Sequence, residues 1–196
     1  MQIINHRINT IESLRNIPST QGVEIDIRSH GTKLILHHDP FQEGEDFEAW
    51  LDVFNHASII LNVKEEGLED RLLNAMKKKN IDNFFFLDQS FPFLIKTARS
   101  RDSRAAVRLS EFESIETVKN LSGIVDWVWV DCFTKLPLDA SEAEELRDKF
   151  EFKLCLVSPE LQGRNMDGEI LDFKDNLIRN KIKGDAVCTK RPDLWL

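Results

Sequence analysis

The chain has 196 residues, 41% hydrophobic and 31% charged, enough to bury one substantial core and too apolar for an intrinsically disordered chain. A formal net charge of −8 and a pI near 5.2 exclude the broadly basic surface that grips nucleic acid or anionic lipid. No apolar run approaches the ~18 residues of a membrane span, and the amino-terminal Met1-Gln2-Ile3-Ile4-Asn5-His6 lacks the regions of a signal peptide.

Cys132, Cys155 and Cys188 are odd in number, far apart and each within an apolar run, with no Cys-x-x-Cys spacing. They read as reduced core thiols of a cytoplasmic protein rather than a soft-metal site. No linker, internal repeat or low-complexity segment divides the chain, so residues 1–196 are expected to form one domain.

In chain order, Gln2-Ile3-Ile4-Asn5 reads as a strand ending at His6-Arg7. Asn9 or Thr10 caps a helix through Ile11, Leu14 and Ile17, which Pro18 stops. In Gly22–Arg28, Val23, Ile25 and Ile27 alternate with Glu24, Asp26 and Arg28, the period of a strand. Glu24 and Asp26 then lie on one side, about 7 Å apart along the chain. Two carboxylates so placed repel unless a cation, a proton or a basic group sits between them. The turn Ser29–Thr32 returns the chain into Leu34-Ile35-Leu36, which runs into His37-His38-Asp39-Pro40. Two readings of this stretch stand side by side: a metal-assisted acid/base site, or a surface hairpin with a solvated acidic face.

Helical and extended segments then alternate. Helices are predicted around Phe47–Phe54, over Gly67–Lys79 with Leu68, Leu72, Leu73 and Met76 inward, and over Phe93–Ala98. Further helices follow over Ile115–Leu121 (capped by Ser114), Ser141–Phe150 and Gly168–Lys181. Strands are predicted over Ser58–Lys64, Asn83–Asp88, Arg104–Leu109, Asp126–Asp131, Phe152–Val157 and Asp185–Thr189. Leaving aside the return arm of the hairpin, these strands are apolar on both faces and alternate with helices. That pattern implies a parallel sheet, and the number of strands a small (β/α)₈ TIM-type barrel with short loops and a missing or vestigial last helix. A doubly wound open sheet competes, but no glycine fingerprint follows the first strand.

In such a barrel the site gathers at the carboxyl ends of the strands. Those ends carry His6-Arg7, Glu24 and Asp26, Asn62-x-Lys64, Asp88-x-Ser90, Arg108, Asp131, Ser158 with Glu160, and Thr189-Lys190, with His38 on the hairpin. Buried without partners these groups cost several kcal/mol each, so they neutralise one another, hold a metal or face a wet cleft. The set suits phosphodiester cleavage. Glu24 and Asp26 are hard oxygen ligands that select Mg²⁺ or Ca²⁺ over zinc. Arg7 and Lys64 offset phosphoryl charge, and His6 and His38 divide the proton work. For some of these residues a plain structural role competes: Arg7 can pair with Asp26, and Trp127 and Trp129 can simply pack against helices.

The motifs also resemble a known family. Ile4-Asn5-His6-Arg7 looks like the His-Arg-Gly opening of the glycerophosphodiester phosphodiesterases, within the phosphatidylinositol-phospholipase-C-like superfamily. Gly22–Ile27 is similar to their Glu-x-Asp strand, Leu36-His37-His38-Asp39-Pro40 to their His-Asp motif, and Leu61-Asn62-Val63-Lys64 to their Glu-x-Lys strand. Asp185–Leu194 is similar to their closing Thr-Asp-x-Pro. The resemblance, in family order along the whole chain, implies a compact, divergent barrel that hydrolyses a small phosphodiester with a divalent cation. His6 and His38 are then acid and base, Glu24 and Asp26 metal ligands, and Arg7 and Lys64 contacts to phosphate.

The departures are specific. Ile8 replaces the glycine, Lys190 the closing aspartate, and Asn62 a third acidic ligand, so that Asp131 or Glu65 would have to supply the missing charge. The insertion after the His-Asp motif is reduced to a short helical segment around Trp50. Arg108, Glu160 and Lys190 are the remaining candidates for substrate binding. Two alternatives follow: metal-independent, phospholipase-C-like chemistry with Lys64, Lys190 or Arg108 in place of the cation, or a non-catalytic barrel binding a phosphorylated small molecule.

Overall fold

Ten strands form one sheet in a computed structural model that describes residues 1–100, 102–164 and 167–196. The elements in order are β1 (Gln2–Asn5), α1 (Ile11–Arg15), β2 (Gly22–His30), β3 (Lys33–Leu36), β4 (Glu45–Asp46) and α2 (Phe47–Asp52). There follow β5 (Ile59–Val63), α3 (Glu69–Lys78), β6 (Phe84–Leu87), α4 (Phe91–Arg99), β7 (Ala106–Leu109) and α5 (Ile115–Lys119). The chain ends with β8 (Trp127–Val130), α6 (Ala140–Glu144), β9 (Lys153–Val157), α7 (Asp167–Arg179) and β10 (Ala186–Thr189).

β1 is flanked by β2 and β10, and both neighbours run parallel to it. From β10 the parallel pairing continues through β9 and β8 to β7, and from β2 through β5 to β6. The two arms curl towards each other and touch at one isolated parallel bridge, Phe86 with Ala105. β3 adds antiparallel to the outer half of β2, and β4 adds antiparallel to β3.

The curl gives most of the parallel strands two buried faces, which explains the near-continuous apolar runs. Val23, Ile25, Ile27, Ile59 and Leu61 face the helices, where they join Leu14, Phe47, Trp50, Leu72 and Met76 in the large outer core. The opposite parity lines the inside of the curl. There Ile4, Ile60, Phe85, Ala106, Trp129, Cys155 and Ala186 form a second, smaller core. Trp127 stacks on Phe85 at 4.5 Å, so both tryptophans of β8 serve this inner packing.

The local stops and starts have ordinary causes. Thr10 caps α1 through a capping box with Ser13, leaving Asn9 free for another task. Ser114, Asp46 and Asp139 cap α5, α2 and α6. The expected helix over Ser141–Phe150 changes character midway, where Glu145–Lys149 widens into a π-turn closed by Phe150 N–H to Glu145 C=O at 3.2 Å. In place of a last helix there is one 3₁₀ turn, Pro192–Leu194. After it Trp195 packs edge-on to Phe173 and donates its indole N–H to Ser158 Oγ at 3.0 Å. Among the described residues no helix is long and apolar enough to cross a membrane.

Candidate active site

Strand parity decides where the acidic face of β2 points. Glu24 pairs in register with Ile60, and Asp26 with Asn62. All four therefore project to the inside of the curl, and both carboxylates are fully buried. This removes the solvated-hairpin reading of the stretch.

Three of the four carboxylate oxygens accept a hydrogen bond, and the fourth, Asp26 Oδ1, faces only an ammonium as an ion pair. Arg7 N–H donates to Glu24 Oε2 at 2.8 Å, and the Asn62 amide donates to Glu24 Oε1 at 2.8 Å. The Asn9 amide donates to Asp26 Oδ2 at 2.9 Å, while its own oxygen accepts the Asp26 backbone N–H at 2.9 Å. Lys64 Nζ lies 3.1 Å from Asp26 Oδ1, and Arg7 Nε 3.7 Å from Asp26 Oδ2. The expected Arg7–Asp26 pair is thus part of a larger arrangement. Arg7 reaches it from a positive φ of 56°, a left-handed conformation that costs a non-glycine residue about 1 kcal/mol or more. Ile8 N–H, bonded to Glu24 C=O at 2.8 Å, helps hold that turn.

His6 Nε2 stands 3.7 Å from Glu24 Oε2, with the side chain only 14% exposed. Burial, then the charges of Arg7 and Lys190, push its pKa from 6.5 down to about 3, so the ring is neutral near pH 7. Burial and the neighbouring Asp26 charge push Glu24 up to about 7. Among the described residues three side-chain atoms at the site are buried with no hydrogen-bond partner: His6 Nδ1, Asp26 Oδ1 and Asn62 Oδ1.

From Asp26 a chain of ion pairs runs round the rim. Lys64 Nζ also approaches Asp88 Oδ2 at 3.6 Å, Arg108 bonds both Asp88 and Asp131, and Gln162 donates to the other Asp131 oxygen. Asp131, named as a possible metal ligand, is therefore fully buried under Arg108 and Gln162 and makes no hydrogen bond or ion pair with Glu24 or Asp26. Arg108 likewise serves as the link between Asp88, Asp131 and, at 3.8 Å, Glu113.

Glu160 is also drawn into the frame. It accepts Thr189 Oγ1–H at 2.6 Å, Lys190 N–H at 2.8 Å and the Ser158 hydroxyl, tying the end of β9 to the end of β10. The Lys190 side chain is exposed and contributes positive field at His6. His38 lies on the loop after β3, its side chain 41% exposed and its Nδ1 2.7 Å from Asp39 Oδ1. Arg28 fixes that loop by donating Nε–H and Nη2–H to the His38 carbonyl at 3.1 and 2.9 Å. His38 together with the charge of Arg7 holds the Asp39 carboxyl below its ordinary range, which brings this loop within the field of the β1 turn.

Asn9, which the sequence offers with Thr10 as alternative helix caps, is instead a partner of Asp26, and Gln162 is a partner of Asp131. The signal for Asn9 was the capping-box serine at position 13, which already gives Thr10 the cap.

For a metal, no cluster of three or more His, Cys, Asp or Glu side chains occurs among the described residues. An all-oxygen set can still be assembled from Glu24, Asp26 and the unpartnered carbonyl of Asn62, which fits a hard cation. The three cysteines are buried and free, and burial raises the pKa of each, which removes them from thiolate chemistry.

No protein-family model matches the sequence, and no curated protein matches it either. Solved structures do match by shape. A glycerophosphodiester phosphodiesterase from Agrobacterium tumefaciens superposes with a TM-score of 0.69 at 12% identity, covering 99% of this chain and 98% of that one. A glycerophosphoryl diester phosphodiesterase from Parabacteroides distasonis gives 0.67 at 13% identity, covering 98% and 84%. Over nearly its whole length, then, the chain has the fold of solved glycerophosphodiester phosphodiesterases.

Proposed function

We propose that the protein is a phosphodiester hydrolase acting on a glycerophosphodiester-like small molecule at the rim formed by β1, β2 and β5. The observation that carries this reading is the convergence of His6, Arg7 and Lys64 on the buried, inward-facing carboxylates of Glu24 and Asp26. Arg7 and Lys64 bind the phosphoryl oxygens and offset their charge. His6, neutral near pH 7, takes the nucleophile's proton, and His38, on the loop after β3 with Asp39 on its Nδ1, protonates the leaving oxygen.

Mg²⁺ or Ca²⁺ would be held by Glu24, Asp26 and Asn62, and when bound would supply further positive charge to the phosphoryl group. Asn62 contributes an orphaned carbonyl there but no charge. The same reading takes the curled sheet as a complete (β/α)₈ barrel over residues 1–196, closed at the Phe86–Ala105 bridge.

A second reading has a specific observation in its favour. Lys64 Nζ and Arg7 Nε already flank Asp26, and the Asn62 amide already serves Glu24, as in a site that works without a metal. Hydrolysis of a glycerophosphodiester with Mg²⁺, with Ca²⁺ and with a strong chelator separates the two. Loss of turnover with chelator supports the cation; full turnover with chelator supports Lys64 and Arg7 alone. Turnover that survives both His6→Ala and His38→Ala overturns the acid/base pair in either case.

A further inference from the structure

We propose that a groove at the amino-terminal ends of β1 and β10 is a second binding site, for an aliphatic carboxylate. The groove holds about 580 Å³ and lies between the end of α7 and the chain entering β10. That volume falls within the range of small-molecule sites, roughly 300–1,000 Å³. Met1 and Asp185 precede the two strands there, whereas His6 and Lys190 follow them, so the groove and the phosphodiester rim lie at opposite ends of the sheet. Among the described residues, none of that rim lines the groove.

Its charge runs against that of the chain. The net charge is −8, yet the groove gathers Arg147, Lys174, Lys181 and Lys183, and among the described residues Asp185 is its one acid. Asp185 is already engaged: Oδ2 accepts Leu154 N–H at 2.8 Å and Oδ1 accepts Arg147 Nη2–H at 3.2 Å. Arg147 also donates Nη1–H to the Lys183 carbonyl at 3.0 Å, and Lys174 donates to the carbonyls of Leu194 and Leu196 at 3.0 and 3.1 Å. Lys181 and Lys183 are exposed and form no ion pair among the described residues. Two ammonium groups so placed leave a local positive potential that attracts an anion. With the guanidinium fork of Arg147 occupied, they act as point charges and suit a single carboxylate.

Lys181 occupies a strained position. It follows α7 at a φ of 58°, the left-handed place where glycine is the common residue. Lys181 N–H bonds the Ile178 carbonyl at 3.1 Å and Ile182 N–H the Leu177 carbonyl at 2.9 Å, which closes the helix in the way glycine usually does. A lysine there keeps an ammonium at the groove where glycine would relieve the backbone. Beside the charges the apolar surface is open. Ile178, three residues before Lys181 on the same face of α7, is 66% exposed, and Met1 is 57% exposed. Exposed aliphatic side chains beside unpaired ammonium groups fit a molecule that is aliphatic at one end and anionic at the other.

Calorimetry with decanoate below its critical micelle concentration tests the site, using wild type and Lys181→Gly/Lys183→Ala. Glycine suits the left-handed backbone and Lys183 is exposed, so the variant is expected to melt no lower than wild type. Wild type is expected to bind one decanoate, and the variant to bind it about tenfold more weakly or worse. Inorganic phosphate and decyltrimethylammonium, which lack the chain and the negative charge respectively, are expected to bind wild type at least tenfold more weakly than decanoate. Equal affinity in the two proteins, no saturable binding of decanoate, or either control binding as tightly as decanoate would overturn the site. Sedimentation of wild type as a dimer that Ile178→Asp splits would place a second copy in the groove and overturn it as well.

Discussion

Glu24 offers the sharpest perturbation because its buried charge is costly to the fold. Its carboxyl is fully buried beside Asp26, and its pKa is raised from 4.5 to about 7. A carboxyl whose folded pKa is raised binds its proton more tightly in the folded chain. Stability is therefore fully present below pH 4.5 and falls as pH rises to about 7. The difference between those two values corresponds to about 3 kcal/mol.

Glu24→Gln removes that titration. The new amide can accept Arg7 N–H through its oxygen and donate its NH₂ to the Asn62 carbonyl once Asn62 turns over, which also satisfies the buried Oδ1. His6 titrates in the opposite sense. Its lowered pKa makes stability fall as pH drops from 6.5 towards 3, but burial, Arg7 and Lys190 cause that shift, so it is common to both proteins. Urea unfolding in chelator-treated buffer should show Glu24→Gln more stable than wild type by about 2–3 kcal/mol at pH 8, with the gap closing by pH 5. A variant destabilised equally at both pH values would refute the assignment of a buried charge at position 24 whose hydrogen bonds do not offset burial and the Asp26 charge.

If Glu24, Asp26 and Asn62 hold a cation, Mg²⁺ or Ca²⁺ at a hundredfold excess over Kd should add about 2.7 kcal/mol to wild type in thermal melts, and nothing to Asp26→Asn. An equal shift in both proteins would place the cation elsewhere. Arg108→Leu strips the buried Asp131 carboxylate of its guanidinium and should cost about 3–5 kcal/mol in denaturant unfolding, with much of the loss recovered in Arg108→Leu/Asp131→Asn. Gly22→Ala should cost about 1–3 kcal/mol, because its Cβ would lie 2.3 Å from Ser58 Oγ and 2.4 Å from Ile4 Cδ1, at the crossing of β1, β2 and β5.

Much of the fold was legible because most of its strands are short, largely apolar and punctuated by capped helices. Thr10, Ser114 and the Val23/Ile25/Ile27 alternation each carry a local signal that tertiary packing reinforces. The inward direction of Glu24 and Asp26 was not legible, since period two says only that they share a face. Pairing with Ile60 and Asn62 chooses which face. Long-range partners were beyond reach for the same reason. Nothing local to Asp131 announces Arg108, and nothing local to Glu160 announces Thr189 and Lys190 across the sheet. The two-residue β4 is too short to leave a pattern, and it exists because β3 offers it an edge.

The central claim is that a phosphodiester is cleaved at the His6–Glu24–Asp26 rim. Phosphorus NMR of glycerophosphocholine with purified wild type and His6→Ala, in Mg²⁺ and at pH 7.5, tests it most directly. A phosphomonoester resonance is expected to grow in with wild type and to slow by about 10²-fold or more with His6→Ala. Equal rates in the two proteins, or no product with wild type under any of Mg²⁺, Ca²⁺ or chelator, would contradict it.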